Sequence, residues 1–185
     1  IGLLMLISLF YEIFNNKKTV KKLIKLLKYL IFSGFVFHTI GLAFRWIASG
    51  HAPWSNGYES MIYTAWATLL SGIIFSKKSN FTLSATAIVG SLILMFASMN
   101  WMDPTITNLV PVLNSYWLMI HVAIIVASYG FLFLGAILGL MCLWIIVFTN
   151  NENKKKLKSI INSLTNINER AITVGVFMLT IGTFL

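Results

Sequence analysis

Charged residues are scarce in this sequence, and acidic ones are the scarcest. Only 10% of its 185 residues are charged, with five Asp and Glu against 14 Lys and Arg, while 58% are hydrophobic. The mean hydropathy is +0.84. A soluble globular domain carries about 25% charged residues. The composition therefore excludes such a domain and indicates an integral membrane protein.

Several common kinds of site are missing from the sequence as well. The single cysteine, Cys142, excludes a disulfide within these residues and a Cys-x-x-Cys motif. Its apolar neighbours along the chain indicate a small core residue. The sequence also lacks zinc-ligand spacing, a Gly-rich phosphate loop and a serine-type triad. Glu59 and Asp103 lie on separate segments, which is a weak indication of acid–base chemistry.

Long apolar runs are what the sequence has in place of these motifs. Such runs favour α-helices, because a helix satisfies its own backbone donors and acceptors in lipid. We therefore predict an all-α fold, a polytopic transmembrane helix bundle of about six spans. We expect the chain to be part of a longer one, so that the first and last spans are truncated. The predicted helices cover residues 1–14, 28–49, 58–76, 81–99, 116–149 and 170–185.

Lysine is confined to three segments of the chain, 17–28, 77–78 and 154–158. The connections 50–57 and 100–115 contain neither Lys nor Arg. By the positive-inside rule, the lysines face the cytoplasm of a bacterial inner membrane and the other two connections are periplasmic loops. Because orientation explains the formal net charge of +9, we expect no nucleic-acid partner.

Two of the lysine-rich segments also contain apolar residues at helical spacing. This pattern predicts amphipathic helices at 17–28 and 154–168, lying at the cytoplasmic surface of the lipid membrane. The alternative is that both segments are solvated loops that only set the topology.

The segment WIASGHAPWSNGYES, residues 46–60, is unusually polar for this chain. Asn56 is expected to cap the following helix, with Glu59 reaching back as in a capping box. Arg45 lies about one turn below the outer end of its helix, where it can snorkel to the headgroups or bind an anionic group. Trp54 and Trp117 are explained by an aromatic belt at the membrane interface.

The three histidines are predicted to lie at different depths. His38 is near the middle of its helix, His51 is in the outer loop, and His121 lies about five residues into the helix 116–149. That helix would be about 51 Å long against a hydrocarbon thickness of about 30 Å, so its outer part needs a cover of protein or of a large apolar ligand. His121 is therefore a candidate metal or haem ligand, with a satisfied core histidine as the alternative. The depths of His38 and His121 differ too much for one porphyrin, whereas a pairing of His51 with His121 stays open.

Two strings carry a resemblance to a known family. FHTIGLAFRWIASGHAPWSNGYESM at 37–61 and LNSYWLMIHVAIIVASYGFLF at 113–133 resemble the CcsA/ResC-type (CcsBA-like) system II cytochrome c synthases. The resemblance runs over about residues 30–185. It implies that residues 1–185 are part of one transmembrane haem-handling domain. The tryptophan-rich WWD segment, a second external histidine and an intramembrane histidine of that family would follow Leu185.

The resemblance implies a function in cytochrome c biogenesis. Haem b, bound as the substrate, would be transported to the outer face and joined through thioether bonds to the Cys-x-x-Cys-His of apocytochrome c. The activity implied is that of a holocytochrome c synthase (haem lyase) type, within a longer chain. The implied partners are apocytochrome c and a CcsB/ResB-type protein or fused domain.

The resemblance also implies roles for particular residues. His121 matches the first external histidine of the family and is the expected axial ligand of the haem iron. Arg45, Trp54 and Trp117 become candidates for contacts with the haem, and His38 is left as a core residue. The alternatives from other classes are a polytopic small-solute transporter, and a structural membrane subunit that holds no haem.

Overall fold

The computed structural model describes residues 1–15, 17–99, 102–106, 115–147 and 154–185. Within these ranges all regular structure is helical, and six α-helices follow one another along the chain. They are α1 (Gly2–Phe14), α2 (Lys18–Ser49), α3 (Gly57–Phe75), α4 (Asn80–Ser98), α5 (Tyr116–Val147) and α6 (Lys154–Phe184). The predicted all-α fold is confirmed.

The described helices differ in their capacity to cross a membrane. Three of them, α2, α4 and α5, are long and apolar enough to do so by length and composition, and α1 contains a shorter apolar stretch. The predicted six spans therefore correspond to six helices, of which three meet both criteria. The chain is consistent with an all-α membrane helix bundle.

Two helices begin earlier than the sequence predicts. α2 starts at Lys18 and α6 at Lys154, so the basic segments 17–28 and 154–168 continue directly into the helices that follow them. Lys and Leu are good helix formers, and no Gly or Pro interrupts either junction. With 32 and 31 residues, these helices are about 48 and 46 Å long, well beyond the thickness of about 30 Å. The position of the basic turns at a membrane surface stays a prediction.

α5 is the long apolar helix that the sequence predicts. Its 32 residues give a length of about 48 Å, and the predicted end at residue 149 lies outside the described residues. Its first turns are strongly exposed, with Tyr116 at 80%, Trp117 at 64% and Ile120 at 43%. This apolar end therefore has little cover from the residues that the structure describes.

The helices pack through small residues. α5 runs along α6, α3 packs against α4 and α5, and α1 packs against α4 and α2. At Gly130, an added Cβ would lie 2.6 Å from the backbone of Ala67, and at Gly135 it would lie 2.6 Å from the side chain of Ile172. Small residues allow such close approach, which drives the association of helices in lipid.

The main apolar core lies toward the lysine-rich end of the bundle. Its buried side chains include Met5, Leu9, Ile24, Leu27, Ile31, Phe81, Leu83, Leu134, Leu138, Leu157, Leu164 and Ile167. In contrast, only 17% of the most apolar stretch of α2 is buried. Most of α2 is therefore left to contact lipid or further protein.

The three lysine-bearing segments meet at one end of the fold. Lys25 and Lys28 of α2 line one cleft together with Lys77 from the turn between α3 and α4. Lys78 lines another cleft beside Ser159 of α6. The segment 50–57 lies at the opposite end of α2 and α3. The described lysine-bearing segments therefore lie at one end of the fold, and the side of the membrane that this end faces stays a prediction.

Candidate functional site

The segment 50–57 folds into the protein instead of extending outward as a loop. Gly50 ends α2 in the left-handed conformation, with φ at +70°, and its N–H donates to Trp46 O at 3.0 Å. The chain then turns inward, and His51, Ala52 and Pro53 are all buried. Its polar groups therefore need partners inside the protein.

Glu59 supplies the central acceptor of this segment. It is fully buried, its Oε1 accepts from Arg45 Nε at 2.9 Å, and its Oε2 accepts from Ser55 N at 2.9 Å. His51 Nδ1 lies 3.9 Å from the same Oε2 and 3.2 Å from Ala52 O. Burying a charge is costly unless it is paired, so the ion pair fastens α2 to the start of α3.

Arg45 is turned toward the protein. Besides its bond to Glu59, its Nη1 donates to Pro104 O at 3.1 Å, and its guanidinium carbon lies 5.0 Å from the centre of the Tyr58 ring. Its Nη2 is buried without a hydrogen-bond partner among the described residues. The sequence predicted that Arg45 snorkels or binds an anionic group. Its pairing with Glu59 was not predicted, because the two residues belong to different helices.

The predicted helix cap is confirmed with one difference. Asn56 Oδ1 accepts from Glu59 N at 2.8 Å, as an N-cap residue should. The Glu59 carboxylate reaches the N–H of Ser55, one residue before the N–H that a capping box uses. The cap and the ion pair therefore share one side chain.

Trp54 joins this segment to α5. Its indole Nε1–H donates to Met119 O at 3.1 Å, two residues before His121. Its ring centre lies 4.7 Å from that of Tyr63 and 5.6 Å from that of Trp46. The candidate haem contact Trp54 thus positions the start of α5 in this structure.

His121 lies in the first turns of α5 and is only partly buried. Its ring makes no hydrogen bond or ion pair with the residues that the structure describes. Trp117 precedes it by four residues, so both share one helix face, and Trp117 is 64% exposed. The structure therefore presents an available imidazole beside an exposed aromatic ring.

A cleft of about 240 Å³ lies between the buried segment and the first turns of α5, and His121 is not among its lining residues. It is lined by residues of the buried segment and of the first turns of α5: Trp54, Ser55, Asn56, Gly57, Ser60, Leu118, Met119 and Val122. Sites that enclose a drug-sized ligand measure about 300–1,000 Å³, and haem is larger than many such ligands. This cleft is therefore too small to enclose a haem.

His38 lies apart from this group. It is 11 residues from the end of α2, about 16 Å along the helix axis. Both of its ring nitrogens are buried, and the ring interacts with the backbone of Ile62 on α3. His51 is engaged within its own segment by Ala52 and Glu59. The structure therefore brings neither histidine into a described contact with His121.

A row of aromatic rings, which sequence reasoning missed, joins the level of His38 to the outer segment. Trp66 stacks between Phe35 and Tyr63 with centres 5.6 and 5.7 Å apart, and Tyr63 continues to Trp54 and Trp46. From the sequence, an interfacial belt was the expected role of Trp54 and Trp117. Their mutual packing depends on two helices and shows no periodicity in the sequence.

The acidic residues offer no pair for acid–base chemistry. Glu59 is buried in an ion pair, whereas Asp103 is exposed. The backbone N–H and the hydroxyl of Thr105 hold the pKa of the Asp103 carboxyl below its ordinary value. In the ranges that the structure describes, no group of three or more His, Cys, Asp or Glu residues is arranged to hold a metal ion.

Together these features define a class of protein: a polytopic membrane helix bundle. Its lysine-free end contains the buried Arg45–Glu59 ion pair and the partly exposed imidazole of His121. Residues 54–185 match the family described as Cytochrome C assembly protein. The chain belongs to this family, and the resemblance to CcsA-type proteins that two strings indicated is confirmed.

Three relatives illustrate the similarity. Protein NrfI of Wolinella succinogenes is 44% identical over 151 residues, which cover 82% of this chain and 17% of the relative. Cytochrome c biogenesis protein CcsA of Chlamydomonas reinhardtii is 36% identical over 151 residues, covering 76% of this chain and 42% of the relative. Cytochrome c biogenesis protein CcsA of Prochlorococcus marinus is 30% identical over 209 aligned residues, covering 97% of this chain and 66% of the relative. The chain thus spans only part of each relative.

Proposed function

We propose that this chain is part of the haem-handling membrane domain of a cytochrome c biogenesis protein, and that His121 is an axial ligand of the haem iron. The family and the names of the CcsA relatives, which are cytochrome c biogenesis proteins, support the process. The substrate is haem b, held at the outer, periplasmic face of a bacterial inner membrane.

One observation carries the assignment of His121. Its ring is partly exposed and has no partner among the described residues, at the apolar end of a helix about 48 Å long. A neutral imidazole is a usual axial ligand of haem iron. A flat apolar ligand would also cover the exposed aromatic side chains of this helix end. Haem thus supplies both the metal and the missing apolar cover.

The neighbouring residues have positional roles in this proposal. The Arg45–Glu59 pair fixes the segment 50–57, and Trp54 in that segment fixes the backbone of α5 near His121. Arg45 Nη2 is buried without a hydrogen-bond partner among the described residues, and we assign it as the candidate donor to a haem propionate. The indole rings of Trp54 and Trp117 contact the porphyrin ring in this proposal.

The reaction that we propose for the whole protein rests on the resemblance to the cytochrome c biogenesis family. Haem supplies two vinyl groups, to which the thiols of a Cys-x-x-Cys-His segment of apocytochrome c add to form thioether bonds. The contribution of this chain is to hold and orient the porphyrin so that both vinyl groups meet the thiols. The activity is that of a holocytochrome c synthase, with a CcsB/ResB-type partner or fused domain completing the site.

The visible spectrum of the full-length protein tests this proposal. His121→Ala should lower or shift the Soret absorbance of the purified protein, and added imidazole should restore it by refilling the ligand position. Ile120→Ala, on the same exposed turn, should leave the spectrum unchanged. An unchanged Soret band in His121→Ala would remove this residue from the ligand set, and a haem-free wild-type protein would favour the transporter or structural alternatives.

A further inference from the structure

A second cleft lies at the lysine-rich end of the bundle, between α2 and the turn that joins α3 to α4. Its volume is about 550 Å³, more than twice that of the cleft near His121. Three lysines and three apolar side chains form most of its wall: Lys25, Lys28, Lys77, Phe32, Ile73 and Leu83. None of its lining residues is acidic.

The sequence builds this cleft from two helical faces. Lys25, Lys28 and Phe32 are spaced by three and four residues, so α2 presents them on one side. Ile73 belongs to the last turn of α3, and Lys77 follows the end of that helix. The cleft therefore has lysines toward its rim and an aromatic ring one turn farther along α2.

The positive charge of the cleft is not neutralised within the described structure. The ion pairs among the described residues join Arg45 and His51 to Glu59, at the other end of the molecule from this cleft. Glu12 lines an adjoining cleft with Lys25 and Lys28 but forms no ion pair with them in the described part. Lys28 Nζ donates to Asn80 Oδ1 at 3.5 Å, a long bond that leaves its other protons available.

An apolar track leads away from the cleft along α2. Phe32, Val36 and Ile40 recur every four residues and are 52%, 41% and 45% exposed. A small soluble anion would satisfy the lysines and leave this track uncovered. A ligand with an anionic head and a long apolar tail matches both features.

We propose that this cleft binds an anionic glycerophospholipid, with its phosphate among Lys25, Lys28 and Lys77 and its acyl chains along the exposed face of α2. Charge complementarity and the position of the cleft where α2 enters the apolar span favour this occupant. The lipid bridges α2 to the α3–α4 turn. Beside this cleft, the described hydrogen bond between Lys28 and Asn80 joins α2 to the first residue of α4.

Native mass spectrometry of the full-length protein in detergent tests the proposal, with titrations of phosphatidylglycerol and of phosphatidylcholine bearing the same acyl chains. Each lysine near an anionic surface contributes about fivefold in affinity. The triple variant K25Q/K28Q/K77Q should therefore bind phosphatidylglycerol on the order of 100-fold more weakly. The control K18Q/K22Q/K158Q removes the same charge from exposed positions outside this cleft and should retain the wild-type affinity within about twofold.

A single variant guards against misfolding of the triple one. Lys77 lies outside any helix, so Lys77→Gln should fold normally and lose about fivefold, while Lys22→Gln should lose nothing. Equal losses in the two triple variants would reduce the effect to general surface attraction and overturn the site. Equal affinity for phosphatidylcholine, or full competition by glycerol phosphate, would also overturn it. Displacement of the lipid by equimolar haemin would make haem the occupant instead.

Discussion

Replacing Glu59 with glutamine tests the buried ion pair with Arg45, which joins α2 to the start of α3. The carboxylate is fully buried and accepts from Arg45 Nε and from Ser55 N, each at 2.9 Å. Glutamine has one acceptor oxygen and one amide nitrogen in place of two acceptor oxygens. One of the two donors therefore loses its acceptor, and the guanidinium loses its countercharge.

The expected magnitude follows from the burial of both partners. Removing one member of a buried ion pair costs about 3–5 kcal/mol. The Arg45 side chain is 14% exposed, so water screens part of the guanidinium charge that Glu59→Gln leaves without a counterion. We therefore expect Glu59→Gln to lower the free energy of unfolding by about 3 kcal/mol, at the lower end of that range.

A double-mutant cycle separates the ion pair from other effects of the substitution. Arg45→Gln alone strands the buried carboxylate and should cost a similar amount. The double variant should cost less than the sum, with a coupling energy of about 1–3 kcal/mol for residues in direct contact. Additive losses would show that the two side chains do not stabilise each other.

The assay is equilibrium unfolding of the full-length protein in mixed micelles, followed by tryptophan fluorescence. Glu169→Gln is the matched control, because Glu169 is exposed on α6. Surface substitutions usually stay within about 0.5 kcal/mol. If Glu59→Gln costs no more than this control, the ion pair does not carry the stability assigned to it.

Three further predictions use the same unfolding assay. Trp54→Phe keeps an aromatic ring but removes the N–H that donates to Met119 O, and should cost about 1 kcal/mol; no loss would mean that this bond does not hold α5. Gly130→Ala places a Cβ 2.6 Å from the α3 backbone and should lower the free energy of unfolding by about 1–3 kcal/mol. The control Gly41→Ala meets nothing within 4 Å and should stabilise its helix. Equal effects of the two substitutions would contradict this packing. Asn56→Ala removes the N-cap of α3 and should cost about 1 kcal/mol, and Asn56→Gly only a few tenths; the reverse order would refute the cap.

The helices were largely predictable because apolar composition and membrane thickness constrain each one locally. The predicted starts at 58, 81 and 116 lie within one residue of those of α3, α4 and α5. The starts of α2 and α6 were missed, because a lysine-rich amphipathic segment is compatible with a separate helix or with the first turns of a longer one. That choice depends on the backbone at the junction.

The contacts of Arg45, Trp54, Asn56 and Glu59 were predictable only in part. The spacing of Asn56 and Glu59 was sufficient to predict the cap, which is local. It could not show that Glu59 is fully buried or that its partner is Arg45, because that contact requires α2 and α3 to be antiparallel neighbours. The bond from Trp54 to Met119 spans 65 residues, and no local pattern signals it.

The sequence by itself determined that this is a helical membrane protein with its lysines in three segments and a histidine near the start of an overlong apolar helix. These features follow from composition and spacing along single helices, because the free energy of transfer from water to lipid is a property of each residue by itself. The tertiary structure alone decided that segment 50–57 turns inward and that three lysines from two segments share one cleft. A buried charge or a shared cleft depends on which helices are neighbours, and that is fixed by packing between residues distant in the chain.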